Sequence, residues 1–334
     1  MRMEGKQTMK SITFAGNIIN DIIKIIPYWP EKGMLVKVKE LKRAVGGSVC
    51  NTAIDLKTLD PTLEVKALGK VGEDDSGEFV TRFMKERDVD CSFVGKVPSL
   101  PTSFTDVMTV ETTGERTFFN MHGADSALVP EDVDPASLGC DIFHLGYLLL
   151  LDGLDAEDAE YGTKAARLLA NVRSAGIKTS LDLVSEQSER FARIVRPSLK
   201  HCDYVVVNEV EASRATGVDA SDMRGMCEAL LDLGVREMAV IHRPESSAAI
   251  TSAGEYVELG SLQLPDGWIR GSVGAGDAFC AGMLYSIMKG MSPEDGMRLA
   301  SCSAACNLAV PDSVSGAKSY AETVALDSRF PRRA

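Results

Sequence analysis

Six strand-like apolar runs, at residues 11–15, 64–68, 142–145, 178–181, 204–207 and 238–241, are separated by segments whose apolar residues fall three or four apart. Strands that alternate with helical patterns need a parallel sheet covered by helices, because each crossover must return over one face of the sheet. The reading is therefore an α/β fold: a three-layer α/β/α sandwich with a mostly parallel central sheet. Helical periodicity covers residues 48–59, 76–87, 156–175, 222–233 and 278–289, with Gly176 and Gly290 just past two of the ends. Two stretches break the rhythm. Residues 34–44 alternate through Val36, Lys37, Val38 and Lys39, and residues 103–121 read as two strands around Thr113-Gly114. They predict a small antiparallel sheet built from separate insertions, a lid rather than an independent domain. The division expected is an N-terminal extension (1–10), an α/β body (11–33, 45–102 and 122–325), a β-lid (34–44 and 103–121) and a C-terminal tail (326–334).

The strongest chemical signal is Gly271-Ser272-Val273-Gly274-Ala275-Gly276-Asp277, directly before an apolar helical segment. Small residues leave backbone N–H groups bare at a helix N-terminus, where unpaired donors and the helix dipole hold an anion. Asp277 beside that anion is a candidate proton acceptor for an attacking hydroxyl, with a glycine-rich turn and a dipole-facing carboxylate as the plain alternative. Gly46-Gly47 leads into a helix whose first turn carries Asn51, and Asp21 follows the first strand. Together they offer donors and acceptors to neighbouring hydroxyls, although each alone also reads as a turn or a strand end. Asn208 and Glu211 fit two readings equally: a helix capping box, or side chains that hold the water shell of a magnesium ion. Asp182 ends another strand, on the edge where open α/β sheets bind ligands.

Charge and cysteines exclude other classes. With 36 Lys plus Arg against 48 Asp plus Glu, the formal charge is −12, the wrong sign for a nucleic-acid or anionic-membrane partner. No run of about 18 apolar residues and no signal-peptide core is present, which predicts a cytoplasmic location. Eight scattered cysteines without a C-x-x-C pair fit reduced thiols, and His122, His144, His201 and His242 show no ligand spacing. A Walker loop and the dinucleotide fingerprint are both absent, Phe279 standing where the latter needs a small residue.

In order along residues 12–318, the chain resembles the ribokinase, or PfkB, family of carbohydrate kinases, which also includes nucleoside kinases. The resemblance rests on Gly16 with Asp21, Gly46-Gly47 with Asn51, Leu68-Gly69 with Gly72, Asp75 and Gly77, and Pro101-Thr102. It continues through Gly114-Glu115-Arg116-Thr117, Gly123-Ala124, Asn208 with Glu211, and Gly274-Ala275-Gly276-Asp277. It implies a ribokinase-like fold with a β-lid, and phosphoryl transfer from ATP with Mg2+ to a sugar hydroxyl. By that resemblance Asp277 is the base and Gly274, Ala275 and Gly276 the anion hole. Asp21, Gly46, Gly47 and Asn51 hold the acceptor, Asn208 and Glu211 serve phosphate and magnesium, with Glu211 acting through water, and Asn307 belongs to the adenine pocket's last wall.

Three departures stand out. Gly271-Ser272-Val273 replaces the usual Asp-Thr-Thr and removes an aspartate from a K+ site. Ile241-His242-Arg243 and the residues to Ser247 replace a Thr-x-Gly loop that lies along the nucleotide phosphates, leaving Arg243 to supply charge there. Asp182-Leu183-Val184 lacks an asparagine two residues on. The leading reading is an ATP-dependent sugar kinase. A nucleoside kinase of the same family and a non-catalytic sugar-binding regulator are the alternatives, and the retained Asp277 argues against the regulator. Apolar alternation within 34–41 predicts a homodimer paired through lid strands.

Overall fold

The computed structural model describes residues 9–186 and 188–333, so residues 1–8 of the expected N-terminal extension lie outside the described residues. Fifteen strands follow in chain order: β1 (Ser11–Gly16), β2 (Ile19–Ile26), β3 (Glu40–Gly46), β4 (Glu64–Gly72), β5 (Asp90–Val97), β6 (Phe104–Val110), β7 (Arg116–Met121), β8 (Ile142–Leu148), β9 (Glu157–Asp158), β10 (Gly162–Thr163), β11 (Lys178–Leu183), β12 (Tyr204–Asn208), β13 (Met238–His242), β14 (Ser246–Thr251) and β15 (Tyr256–Gly260). Nine of them form one sheet in the order β15-β14-β13-β12-β11-β8-β1-β4-β5. The pairs from β13 through to β5 are parallel, and β14 and β15 add antiparallel at one edge. β1 and β8 are almost wholly buried, as parallel strands with helices on both faces must be.

Each face carries its own core. Leu168, Leu169, Ile194, Val195, Met226 and Leu230 pack helices Lys164–Ser174, Phe191–Leu199 and Met223–Asp232 on one side. On the other, Val49, Ile54, Val80, Phe279, Met283, Leu284 and Met297 pack helices Ser48–Leu59, Asp75–Lys85, Ala275–Met288 and Pro293–Leu308. The helix Ala275–Met288 is buried almost all round, so its N-terminus is fixed by the core beneath it.

The small sheet has the order β3-β2-β6-β7 and differs from expectation in three ways. Its middle pair, β2 with β6, is parallel, because both chains leave the large sheet from the same edge. β2 comes from the segment assigned to the α/β body, two residues beyond β1. Residues 34–39 form no strand, and Met34, Leu35 and Val38 stand exposed, so their alternation has no buried face to select a register.

Two further corrections concern segment ends. The helix expected from 156 begins at Lys164, after the small β9–β10 hairpin, with Thr163 Oγ1 accepting from Ala166 N–H at 3.2 Å. The expected tail is also structured: residues 326–329 complete the helix Tyr320–Arg329, and Arg332 bridges to Leu262. All eight cysteines are free, and among the described residues no helix is long and apolar enough to cross a membrane.

Candidate active site

The parallel strands end on one edge of the large sheet. There the chain presents Tyr147 within β8, Asp182 within β11, Asn208 at the end of β12 and His242 at the end of β13. That edge is where an open α/β sheet leaves a crevice, since crossover helices start away from it on alternate faces. The N-terminus of helix Ala275–Met288 closes the crevice from one side. Gly274, the residue before it, has φ +79, and a Cβ there would stand 2.5 Å from the carbonyl oxygen of Ser313, so only glycine fits. Ala275, Gly276 and Asp277 form the helix's first turn, where backbone N–H groups have no helical partner.

Asp277 is buried. Its Oδ2 accepts from Asn51 Nδ2 at 2.8 Å and from the Tyr147 hydroxyl at 2.9 Å. Burial pushes its carboxyl up from the usual 3.8 to about 7; the charge of Asp182 adds to the rise, and the two hydrogen bonds oppose it. Across the cavity, burial likewise lifts Asp21 to about 6 against a hydrogen bond from Thr105 and the nearby Arg116. Gly46 lies directly against Asp21: a Cβ there would meet its Oδ2 at 2.5 Å. Gly47 is the non-helical residue that starts the Asn51 helix. The sequence-derived acceptor set (Asp21, Gly46, Gly47 and Asn51) thus converges with Asp277, but the Asn51 amide is committed to Asp277.

The cavity holds about 610 Å³ and is lined by Asp21, Asn51, Phe118, Tyr147, Asp182 and Asp277, among others. It carries four carboxyl groups, from Asp21, Asp182, Glu211 and Asp277, and neither lysine nor arginine lines it. The nearest small-sheet cation, Arg116, donates instead to the carbonyl of Pro311 at 2.5 Å. A second groove of about 560 Å³ lies on the other side of the same helix N-terminus. Its walls include Leu262, Ile269, Phe279, Ala304 and Leu308, and Arg243 stands at its edge. The two spaces share Asn208, His242, Ser272 and Gly276, so they meet beside the Gly276 amide; the Ala275 N–H already donates to the Ser272 carbonyl at 3.3 Å. A larger groove of about 1010 Å³ lies on the opposite edge of the sheet, where Lys178 pairs with Glu237 and Arg173 faces Asp203 at 3.7 Å.

Asn208 and Glu211 form the capping box. Asn208 Oδ1 accepts from Glu211 N–H at 2.9 Å, and Glu211 Oε2 accepts from Asn208 N–H at 3.0 Å. Ser185 donates to the other Glu211 oxygen at 2.9 Å, and burial raises this carboxyl to about 8. Each Glu211 oxygen thus accepts one hydrogen bond within the capping box or from Ser185. Asn307 does not line the groove. It is buried, and its amide donates to the Ser313 carbonyl at 2.6 Å, fixing the loop that packs on Gly274; Ala304, Ala305 and Leu308 of the same helix supply the wall instead.

Residues 9–318 match the family model for pfkB family carbohydrate kinases. The chain belongs to that family. It is 22% identical over 292 residues to the nucleoside kinase of Methanocaldococcus jannaschii, covering 87% of each chain. With the 5-dehydro-2-deoxygluconokinase of Clostridium perfringens it shares 23% over 281 residues, 81% of this chain and 80% of the relative. The solved structure of Arabidopsis thaliana ribokinase complexed with ribose and ATP superposes with a TM-score of 0.79 at 21% identity, covering 96% of this chain and 99% of that one. The pfkB family member described here therefore has the ribokinase fold, with its nine-stranded sheet and small second sheet.

Within that frame the departure at 241–247 is a tight hairpin between β13 and β14. Arg243 N–H donates to the Ser246 carbonyl at 2.9 Å, and the guanidinium donates to Ser246 Oγ at 2.9 Å with Glu258 at 3.6 Å. His242 is half-buried, desolvation drives its ring down to about 4, and the ring lies 4.8 Å from that of Phe279. Sequence reasoning missed Tyr147, which sits in an apolar run with no motif to mark it. It also missed that His144, Asp182 and Cys280, far apart in the chain, bring their donor atoms within 4.8 Å of one another.

Proposed function

We propose that this protein transfers the γ-phosphoryl group of ATP to a hydroxyl of an uncharged sugar or nucleoside. The observation that carries the reading is the meeting of two spaces at one helix N-terminus, with Asp277 on the cavity side and the apolar groove on the other. ATP would lie in the groove with its base against Ala304 and Leu308 and its phosphates toward Arg243 and Gly276. The acceptor would bind Asp21 and present a hydroxyl to Asp277 Oδ1, the oxygen left free by Asn51 and Tyr147. Asp277 then takes the hydroxyl proton as the oxygen attacks phosphorus, and the Gly274, Ala275 and Gly276 amides face the charge that builds on the transferring group. A divalent ion such as Mg2+ arriving with the donor would neutralise phosphate charge, and Asn208 and Glu211 are placed to hold its water shell.

Four carboxyl groups and no lining cation make the cavity hostile to an anionic acceptor, because a sugar acid or sugar phosphate would lose its hydration beside like charge. Phe118 and Asn120, both on β7, give the cavity a flat apolar wall beside an amide, which favours a nucleoside within the uncharged class. The homodimer also stands as a proposal: the small sheet exposes Leu41 and the stacked pair Trp29 and Phe119, an apolar face that a second copy would cover.

The test is ADP formation from ATP and Mg2+ with D-ribose, D-fructose, adenosine or cytidine against gluconate and ribose 5-phosphate, with Asp277→Asn beside the parent. Turnover on an uncharged acceptor, falling on the order of a hundredfold or more in the variant, is expected. Preference for an anionic acceptor, or near-parental turnover by Asp277→Asn, refutes the reading.

A further inference from the structure

The base has a hydrogen-bonded support that no motif encodes. Among the described residues Tyr147 is one of three non-glycine residues with positive φ, at +53, a backbone conformation disfavoured in a residue with a side chain. What holds it there is visible. Its N–H donates to Asp182 Oδ1 at 2.6 Å, while Asp182 Oδ2 accepts from Ser48 Oγ at 3.1 Å and lies 3.3 Å from His144 Nε2. The other ring nitrogen of His144 is 3.0 Å from Ser180 Oγ. From this anchored backbone the phenol crosses the cavity and donates to Asp277 Oδ2, the same oxygen that Asn51 engages.

Two donors on Oδ2 have a consequence. They fix the rotation of the carboxylate and leave Oδ1 as the oxygen free to face a hydroxyl. We propose that Tyr147 is a positioning residue for the reaction, held in its left-handed conformation by Asp182, and that it orients Asp277 with Oδ1 toward the acceptor. The proposal rests on the reading of Asp277 as the base.

The same pair acts on the ionisation of Asp277 in opposite senses. The Tyr147 hydroxyl stabilises the carboxylate, whereas the Asp182 charge opposes it. The other titratable groups facing the site are Asp21 from β2, Asp55 from helix Ser48–Leu59, Glu211 beside Asp182, and the Cys280 thiol on the base's own helix. His242 at the end of β13, driven down by desolvation, His144 against Asp182 and Arg116 of β7, whose charge acts on Asp21, complete the set.

The experiment needs no acceptor. Thermal stability of the full chain against pH is compared for the parent and Asp277→Asn, the midpoint of their difference reporting the ionisation of Asp277. The comparison is repeated in the Tyr147→Phe and Asp182→Asn backgrounds. Tyr147→Phe is expected to raise that midpoint by about half a pH unit or more, and Asp182→Asn to lower it. With whichever of D-ribose or adenosine supports ADP formation, Tyr147→Phe should lower kcat about 2- to 10-fold, with acceptor KM nearly unchanged and the acid limb of the pH profile moved upward.

Shifts of the same sign in both backgrounds, or an unmoved midpoint in Tyr147→Phe, would overturn the proposal. If Tyr147→Phe fails to fold, 3-fluorotyrosine at position 147 keeps the ring and strengthens the donor. It should then lower the midpoint, and an unmoved midpoint refutes. An active Asp277→Asn defeats the assignment of the base, and leaves the midpoint shifts to judge the hydrogen bond by itself.

Discussion

Asp277→Asn should make the protein more stable as it disables the reaction. The carboxyl is held up at about 7 in the folded chain against the usual 3.8. A carboxyl raised by folding is disfavoured as an anion in the native state, so folding carries no cost from it below about pH 4. The cost grows as pH rises from 3.8 and is complete above about 7. Its full size is about 4 kcal/mol at pH 8 and falls below about 1 kcal/mol at pH 4. Asparagine removes the charge and keeps an oxygen that accepts from Asn51 and Tyr147, leaving its NH2 toward the cavity. With an unfolding entropy of about 0.7 kcal/mol/K for a chain of this length, the expected gain in Tm at pH 8 is about 6 °C. Differential scanning calorimetry from pH 4 to 8 measures it. A gain that is absent at pH 8, or equal at pH 4 and pH 8, would refute the argument that burial and Asp182 raise this carboxyl.

Gly274→Ala forces a side chain into φ +79 and onto the Ser313 carbonyl, so kcat should fall at least tenfold and Tm should drop, while calorimetry finds acceptor affinity largely kept. Arg243→Ala should raise the KM for ATP several-fold and leave the acceptor KM unchanged in steady-state kinetics, since Arg243 borders the donor groove alone. Asn307→Ala should cost about 1–3 kcal/mol in chemical denaturation through the orphaned Ser313 carbonyl; ATP affinity, measured at a temperature where the variant is folded, should hold.

Six of the nine large-sheet strands were legible because helices with clear periods separate them, and helix 48–59 appears with the expected bounds; the edge strands β5, β14 and β15 were not read. The small sheet was less so. β2 follows β1 after only Asn17 and Ile18, so the break at Gly16 reads as a strand end and not as a passage into a second sheet, whereas the visible alternation near Val36 and Val38 faces solvent. Within the site, Asp277, Asp21 and the glycines declared themselves through spacing, because backbone approach restricts them to particular residue types. Tyr147 was hidden for the converse reason: its unusual backbone is imposed by Asp182, 35 residues away, and not by a local glycine. Within the segment 303–307 expected to wall the adenine pocket, Ala304 and Ala305 line the groove, whereas the Asn307 amide is spent on the Ser313 carbonyl, in a loop whose path no helical pattern reveals. For Asn208 and Glu211 the capping-box reading is the one the structure displays, and the box places both side chains along the crevice.

Asp21 and Asp277 are attached to different bodies. Asp21 rides on β2 of the small sheet, five residues beyond Gly16, while Asp277 is anchored in the core of the large sheet. The chain passes between the two at Asn17, whose carbonyl lies against Gly47, the point where β3 returns to the large sheet. On the proposed function, a molecule touching both carboxylates works as a strut: it braces one sheet against the other, beside the side-chain hydrogen bonds from Asn20 and Arg43 to Ser76 and from Arg116 to the Pro311 carbonyl. An acceptor bound as proposed would then be a structural member of the protein, and its release and the parting of the two sheets would be one event.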